Sequence, residues 1–160
     1  MFYYKVKEGD IVYEIDLSTV MLIGLDDVKT KVITIDDEFI FNIDSKKIID
    51  SSCKFFGSSL NDRVNMTKRL INIRSKSPII IEESRDIIFF PLKSIRDKCN
   101  IWISFNNLEK FVKSEDKTIF YFKGNKQVEI DFSYYIIDNQ VTRSLMLDYE
   151  IKKRRESLKK

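Results

Sequence analysis

Five cations crowd one short stretch of this chain: Arg63, Lys68, Arg69, Arg74 and Lys76 follow one another at intervals of one to five residues. Arg96 and Lys98 form a second basic group further on. Residues 51–80 carry six basic side chains and one acidic, whereas residues 1–50 carry six basic and eleven acidic. Residues 81–132 balance at nine of each, and residues 133–160 hold seven basic and four acidic. A net charge of only +3 hides this unevenness. Clustered guanidinium and ammonium groups attract polyanions, so the pattern gives one side of the molecule to a polyanion and another to water or a partner. A solvated surface with clustered charges has the same composition.

Histidine is absent, which removes the commonest general base, the Ser-His and Cys-His nucleophile pairs and most zinc sites. Cys53 and Cys99 leave only a four-thiolate site shared between two chains, against the plainer reading of two buried, reduced core thiols. Glu129 and Asp131 alternate along the chain, and Glu82 and Glu83 lie near Arg85. Two carboxylates on one strand face can hold the Mg²⁺ of a nuclease, but alternating acids on an exposed strand are ordinary. The expectation is a protein that is not an enzyme and uses no cofactor and no metal. A length of 160 residues fits one domain, 1–160, with a core of its own. No basic leader precedes an apolar run, and Val20–Leu25 is far too short to span a bilayer. The expected location is the cytoplasm, with no membrane partner.

The elements that must position the cations read as an α+β fold, mainly antiparallel sheet with a helix near residues 45–56 and a C-terminal helix. Aromatic Phe2–Lys7 precedes a turn at Gly9-Asp10. Ile11–Leu17 and Val20–Gly24 read as strands, and Lys31–Ile35 with Glu38–Asn42 as a hairpin. Asp44-Ser45 can cap the first helix, in which Ile48, Ile49, Cys53 and Phe56 recur at helical spacing before Gly57 stops it. Ser58–Thr67 reads as a polar loop and Lys68–Arg74 as a strand. Ile79–Glu82 and Ile87–Phe90 read as strands, Lys93–Asn100 as a basic loop and Ile101–Phe105 as a strand. Asn107–Lys113 reads as a short helix or irregular turn, and Thr118–Phe122 with Gln127–Phe132 as a hairpin. Ser133 can cap the last helix, with Ile137, Val141, Leu145 or Ser144, and Ile151 on one stripe. It ends in Lys152–Arg155, where cations suit the helix dipole. Phe55 and Phe56 are expected in the core and Trp102 in the core or a subunit interface, and no helix-turn-helix or zinc finger is read.

One segment is more specific. Ser52-Cys53-Lys54-Phe55-Phe56-Gly57-Ser58-Ser59 resembles the signature of the ComK family, the competence transcription factors of low-GC Gram-positive bacteria. Further blocks follow in the family's order: Pro78-Ile79, Phe90-Pro91, Ser94 with Arg96 and Cys99, Trp102-Ile103-Ser104, and Asn139-Gln140-Val141 with Arg143. Together they extend over about residues 48–145. One residue, Asn100 or Ile101, is extra between Cys99 and Trp102. Better-known members have a longer tail recognised by the adaptor of a Clp protease. This chain stops at Lys160, which puts control by that adaptor in question.

The resemblance implies a sequence-specific activator of DNA-uptake genes. It implies a double-stranded DNA partner, A/T-rich boxes read through the minor groove, assembly as a homodimer or a dimer of dimers on DNA, and a nucleoid-associated location. A minor-groove reader needs Arg, Lys or Asn in a narrow, electronegative groove. Under the resemblance these are Arg63, Lys68, Arg69, Arg74, Lys76, Arg96 and Lys98. Gly57, Ser58 and Ser59 would bring backbone N–H groups close to phosphates. The alternative is a regulatory paralogue that does not bind DNA and forms hetero-oligomers with a full-length relative.

Overall fold

The computed structural model describes residues 3–6 and 10–159, with side chains from Tyr13 onward. Strands β1 (Tyr3–Val6) and β2 (Asp10–Tyr13) pair antiparallel, Tyr3 opposite Tyr13. The reading of Phe2–Lys7 falls partly outside the described residues.

The remaining nine strands form two antiparallel sheets, and with three helices the fold is α+β. The larger sheet contains β3 (Thr19–Asp26), β4 (Lys29–Thr34), β5 (Glu38–Phe41), β6 (Ile79–Glu82), β7 (Ile87–Pro91) and β8 (Ile101–Ser104). Its spatial order is β5-β4-β3-β8-β7-β6. The smaller sheet runs β11-β10-β9, from β9 (Leu108–Ser114), β10 (Lys117–Phe122) and β11 (Lys126–Ile130). The helices are α1 (Ser45–Phe55), α2 (Leu60–Ile71) and α3 (Tyr134–Ser157).

Successive strand residues point to opposite faces. Leu22, Val32, Phe89 and Trp102 therefore share one face of the large sheet, where α1 and α2 cover them with Ile48, Ile49, Cys53, Leu60 and Val64. Met21, Ile33, Phe90 and Ile103 share the other, beneath Phe120, Phe122, Val128 and Ile130 of the small sheet and Ile137 of α3. Further along, Leu147 and Ile151 of α3 pack on Ile80 and Ile88. Two covered faces explain the unbroken apolar runs of β6 and β7, since neither side can be polar. Burying each such side chain contributes about 1.5–3 kcal/mol.

Several sequence expectations change. Ser58–Thr67 is not a loop and Lys68–Arg74 is not a strand, because α2 occupies residues 60–71. Ser59 caps it, its hydroxyl accepting from Asp62 N at 3.0 Å, and Leu60, Val64, Thr67 and Ile71 form its buried face. The polar residues that suggested a loop are the outer face of an amphipathic helix. Leu108–Lys113 is strand, within β9, and only Asn107 lies in the turn before it. Phe55 is 56% exposed, set edge-on to Phe56, because α1 turns it away from the sheet. Leu145 is exposed and Ser144 takes the buried place on α3. Cys53 is buried, but Cys99 is only half-buried, in the loop before β8.

Of the carboxylates weighed for Mg²⁺, Glu129 lies on β11 with Asp131 just past its end, and Glu82 lies on β6 of the other sheet. Glu129 on β11 faces Lys117, and Glu82 on β6 pairs with Arg85 at 2.6 Å. No helix among the described residues is long and apolar enough to cross a membrane.

Candidate nucleic-acid interface

Four chain segments meet at one end of the helical layer and enclose an open groove of about 720 Å³. The start of α1 supplies Lys46 and Lys47, and α2 supplies Asn61 and Lys68. Residues 72–77 supply Arg74 and Lys76, and residues 92–100 supply Arg96 and Lys98. Ser75, Ser77 and Ser94 complete a small-residue lining.

Local hydrogen bonds fix each wall. Asp44 caps α1, accepting from Lys47 N at 2.9 Å. Ser45 donates its hydroxyl to the Lys98 carbonyl at 2.7 Å, tying α1 to the second basic loop. That loop is built around the buried Asn100 side chain. Its Oδ1 accepts from Lys93 N and Ile101 N, and its Nδ2 donates to the carbonyls of Lys93 and Ser94. The loop lies so close to β3 that a Cβ at Gly24 would stand 2.6 Å from the Cys99 Cα, so only glycine fits there. On the opposite wall, Asn72 ends α2 in the left-handed region at φ 53°, and Thr67 donates to the Pro78 carbonyl at 2.7 Å. Lys76 adopts φ 51°, a conformation that costs a lysine about 1–2 kcal/mol.

Charge in the groove is one-sided. Seven cations line it against two carboxylates, and both carboxylates have other tasks. Asp44 is the helix cap. Asp50 accepts from Leu60 N at 3.0 Å and pairs with Lys54 at 3.0 Å. Partial burial works against ionisation of Asp50, but the Leu60 N–H and the Lys54 ammonium outweigh it and hold the carboxyl below its ordinary range. None of the seven groove cations makes an ion pair among the described residues.

Of the residues expected to touch DNA, Lys68, Arg74, Lys76, Arg96 and Lys98 converge on this groove. Arg63 does not line it. Asn61, Val64 and Lys68 are on the groove flank of α2, while Arg63 shares the opposite flank with Met66 and Leu70. There Arg63 pairs with Glu83 at 3.3 Å, its side chain only 12% exposed. It also lies close to the buried Cys53 thiol, which burial pushes up to about 12. Arg69 is exposed on the face of α2 away from the sheet. Gly57, Ser58 and Ser59 form the turn between α1 and α2. Gly57 takes φ 82° and its N–H bonds the Lys54 carbonyl, while the Ser58 N–H bonds the Cys53 carbonyl, each at 3.1 Å. These two donors close α1 in the manner of a Schellman cap.

Lys46, Lys47 and Asn61 were not singled out from sequence. A signal existed for the lysines: α1 opens with two cations and no acid in its first turn, against the helix dipole.

A family model described as ComK protein matches residues 11–156. The competence transcription factor of Bacillus subtilis (strain 168) is 33% identical over 157 residues, which covers 90% of this chain and 81% of that protein. No solved structure matches significantly.

Proposed function

This chain belongs to the ComK family, and from that premise we propose that it is a DNA-binding activator of competence genes that seats A/T-rich duplex on the cationic groove. One observation carries the reading: seven cations from four separated segments converge against two carboxylates, and none of the seven makes an ion pair among the described residues. Holding like charges together disfavours the folded state unless a polyanion relieves the repulsion. A DNA backbone does so, and counterion release drives the association.

The mix of Arg74, Arg96, four lysines from the α1 start and the loops, and Asn61 suits a narrow minor groove. Arginine and lysine enter the electronegative furrow of A-tracts, and the edges exposed there separate A·T from G·C. Leu145, Met146 and Tyr149 leave an exposed apolar face on α3 that supports binding as a homodimer or a dimer of dimers.

A second docking mode has its own support. The turn Phe56–Ser59 joins α1 to α2 with Gly57 in the left-handed region, as in paired DNA-binding helices. In that mode α2 enters the major groove and presents Asn61, Asn65 and Arg69 to base edges.

The test is a gel-shift titration of A/T-rich and G·C-rich duplexes at several salt concentrations, with stoichiometry. The A/T duplex should bind tighter, with log affinity falling against log salt at a slope of about −4 to −6. Distamycin should displace the protein, whereas displacement by methyl green assigns α2 to the major groove. Equal affinity for both duplexes removes sequence reading. No shift with the purified homomer turns the reading toward a regulatory paralogue that needs a relative.

A further inference from the structure

A single side chain joins, from behind, one basic loop of the groove to the strand end that feeds the other. Gln140, on the buried stripe of α3 and 1% exposed, donates from Nε2 to the Lys76 carbonyl at 2.8 Å and to the Pro91 carbonyl at 2.6 Å. Lys76 belongs to the loop that carries Arg74. Pro91 ends β7 and leads into the loop that carries Arg96 and Lys98. Only the nitrogen of the amide can serve two carbonyls at once, because turning it over would set oxygen against oxygen. Three residues along α3, Arg143 donates to the Ser75 carbonyl at 2.7 Å. These bonds hold Ser75 and Lys76 where Lys76 keeps its left-handed φ of 51°, a state that persists only when surroundings impose it.

We propose that Gln140, backed by Arg143, is a positioning residue that sets the spacing of the two basic loops and so the fit of the groove to a DNA backbone. The inference deepens the DNA-binding reading and rests on it. Buried Gln140 adds no contact of its own. It acts through Arg74, Lys76, Arg96 and Lys98, whose carrier loops otherwise have separate anchors: Asn100 and Ser45 for one, Thr67 on the Pro78 carbonyl for the other. Cations on loops that drift apart meet phosphates in register only part of the time, and affinity falls by that fraction.

Gln140→Met keeps the length of the side chain and removes both donors. Affinity for the A/T duplex should fall about tenfold and the salt slope should shrink by about one. Amide hydrogen exchange, measured without DNA, should quicken in residues 74–77 and 92–98 together, while β3 and β10 stay protected. With Lys76→Ala and Arg96→Ala already in place, the affinity loss from Gln140→Met should be smaller, because the residues act as one unit. Unchanged affinity and slope, quickened exchange in neither loop or in only one, or a fully additive loss overturns the proposal. Wild-type protein that fails to shift the duplex defeats the DNA reading, and the exchange experiment still decides the clamp. Should the methionine variant unfold, Arg143→Lys keeps the charge and loses the reach to Ser75. It should quicken exchange in residues 74–77 and weaken binding a few-fold; no change in either counts against the proposal.

Discussion

The groove and the end of α3 are both rich in cations, yet they treat them in opposite ways. At the helix end, Lys152 pairs with Asp148 at 2.8 Å, Arg155 pairs with Asp86 at 2.9 Å, and Lys153 stands over the Tyr149 ring. The helix dipole favours all of them. In the groove, Lys46, Lys47, Lys68, Arg74, Lys76, Arg96 and Lys98 have no ion-pair partner among the described residues, and two of them oppose a helix dipole. Charge count does not separate the two regions. What separates them is whether the fold itself satisfies the charge. A satisfied cluster contributes to stability, and an unsatisfied one leaves its charge available to a ligand.

The largest expected effect tests this contrast head-on. Arg74→Glu combined with Arg96→Glu should weaken A/T-duplex binding by about a hundredfold or more, since each lost contact is worth about 1–3 kcal/mol and the new charge repels phosphate. Lys153→Glu combined with Arg154→Glu should change affinity by less than about twofold and cost a few tenths of a kcal/mol from the helix dipole. Gel shifts on both pairs decide it. Similar losses from the two pairs would merge the regions into one surface and end the distinction.

Arg63 sharpens the comparison, because sequence placed it among the DNA contacts and structure places it with the ion-paired cations. Its side chain is 12% exposed and its carboxylate partner Glu83 half exposed. Arg63→Met should destabilise the domain by about 1–2 kcal/mol through the lost pair and packing, with affinity unchanged. Arg74→Met should do the reverse, with stability within about 0.5 kcal/mol of wild type and weaker binding. Urea titration beside gel shift separates the two. Arg63→Met that binds poorly at full stability would return Arg63 to the DNA surface.

Much of the fold was legible because strand signals are local. The hairpin turns around Asp36-Asp37, Arg85 and Gly124 separate β-branched or aromatic runs, and β3 to β8, β10 and β11 fall close to where those runs lie. The helix α2 was missed for a physical reason. Its apolar face is only Leu60, Val64, Thr67 and Ile71, spread between Asn, Asp, Arg and Lys, while Leu70, Ile71 and Ile73 imitate a strand. Without that helix, Arg63 was read in a loop and Lys68 at the start of a strand, and the helical turn that sends them to opposite flanks was invisible. Groove residues were legible where cations sat in true loops, as with Arg74, Lys76, Arg96 and Lys98. The clamp formed by Gln140 was not, since 49 residues separate it from Pro91 and 64 from Lys76. Only tertiary packing brings those carbonyls together.

The smallest effect comes with two opposite signs, which makes it the most discriminating. Lys47 lies in the first turn of α1, where its charge opposes the dipole and the cap Asp44 is the acid that offsets it. Lys47→Ala should therefore raise stability by a few tenths of a kcal/mol, from relief of that repulsion and from alanine's higher helix propensity. The same change removes one groove cation, so affinity for the A/T duplex should fall about threefold and the salt slope by about one. A cation kept only for the fold would lose stability on removal, and an idle one would leave binding untouched. Gain of stability with loss of binding is the signature of a charge held for a ligand. Thermal melts and salt-dependent gel shifts on this single variant distinguish the three cases.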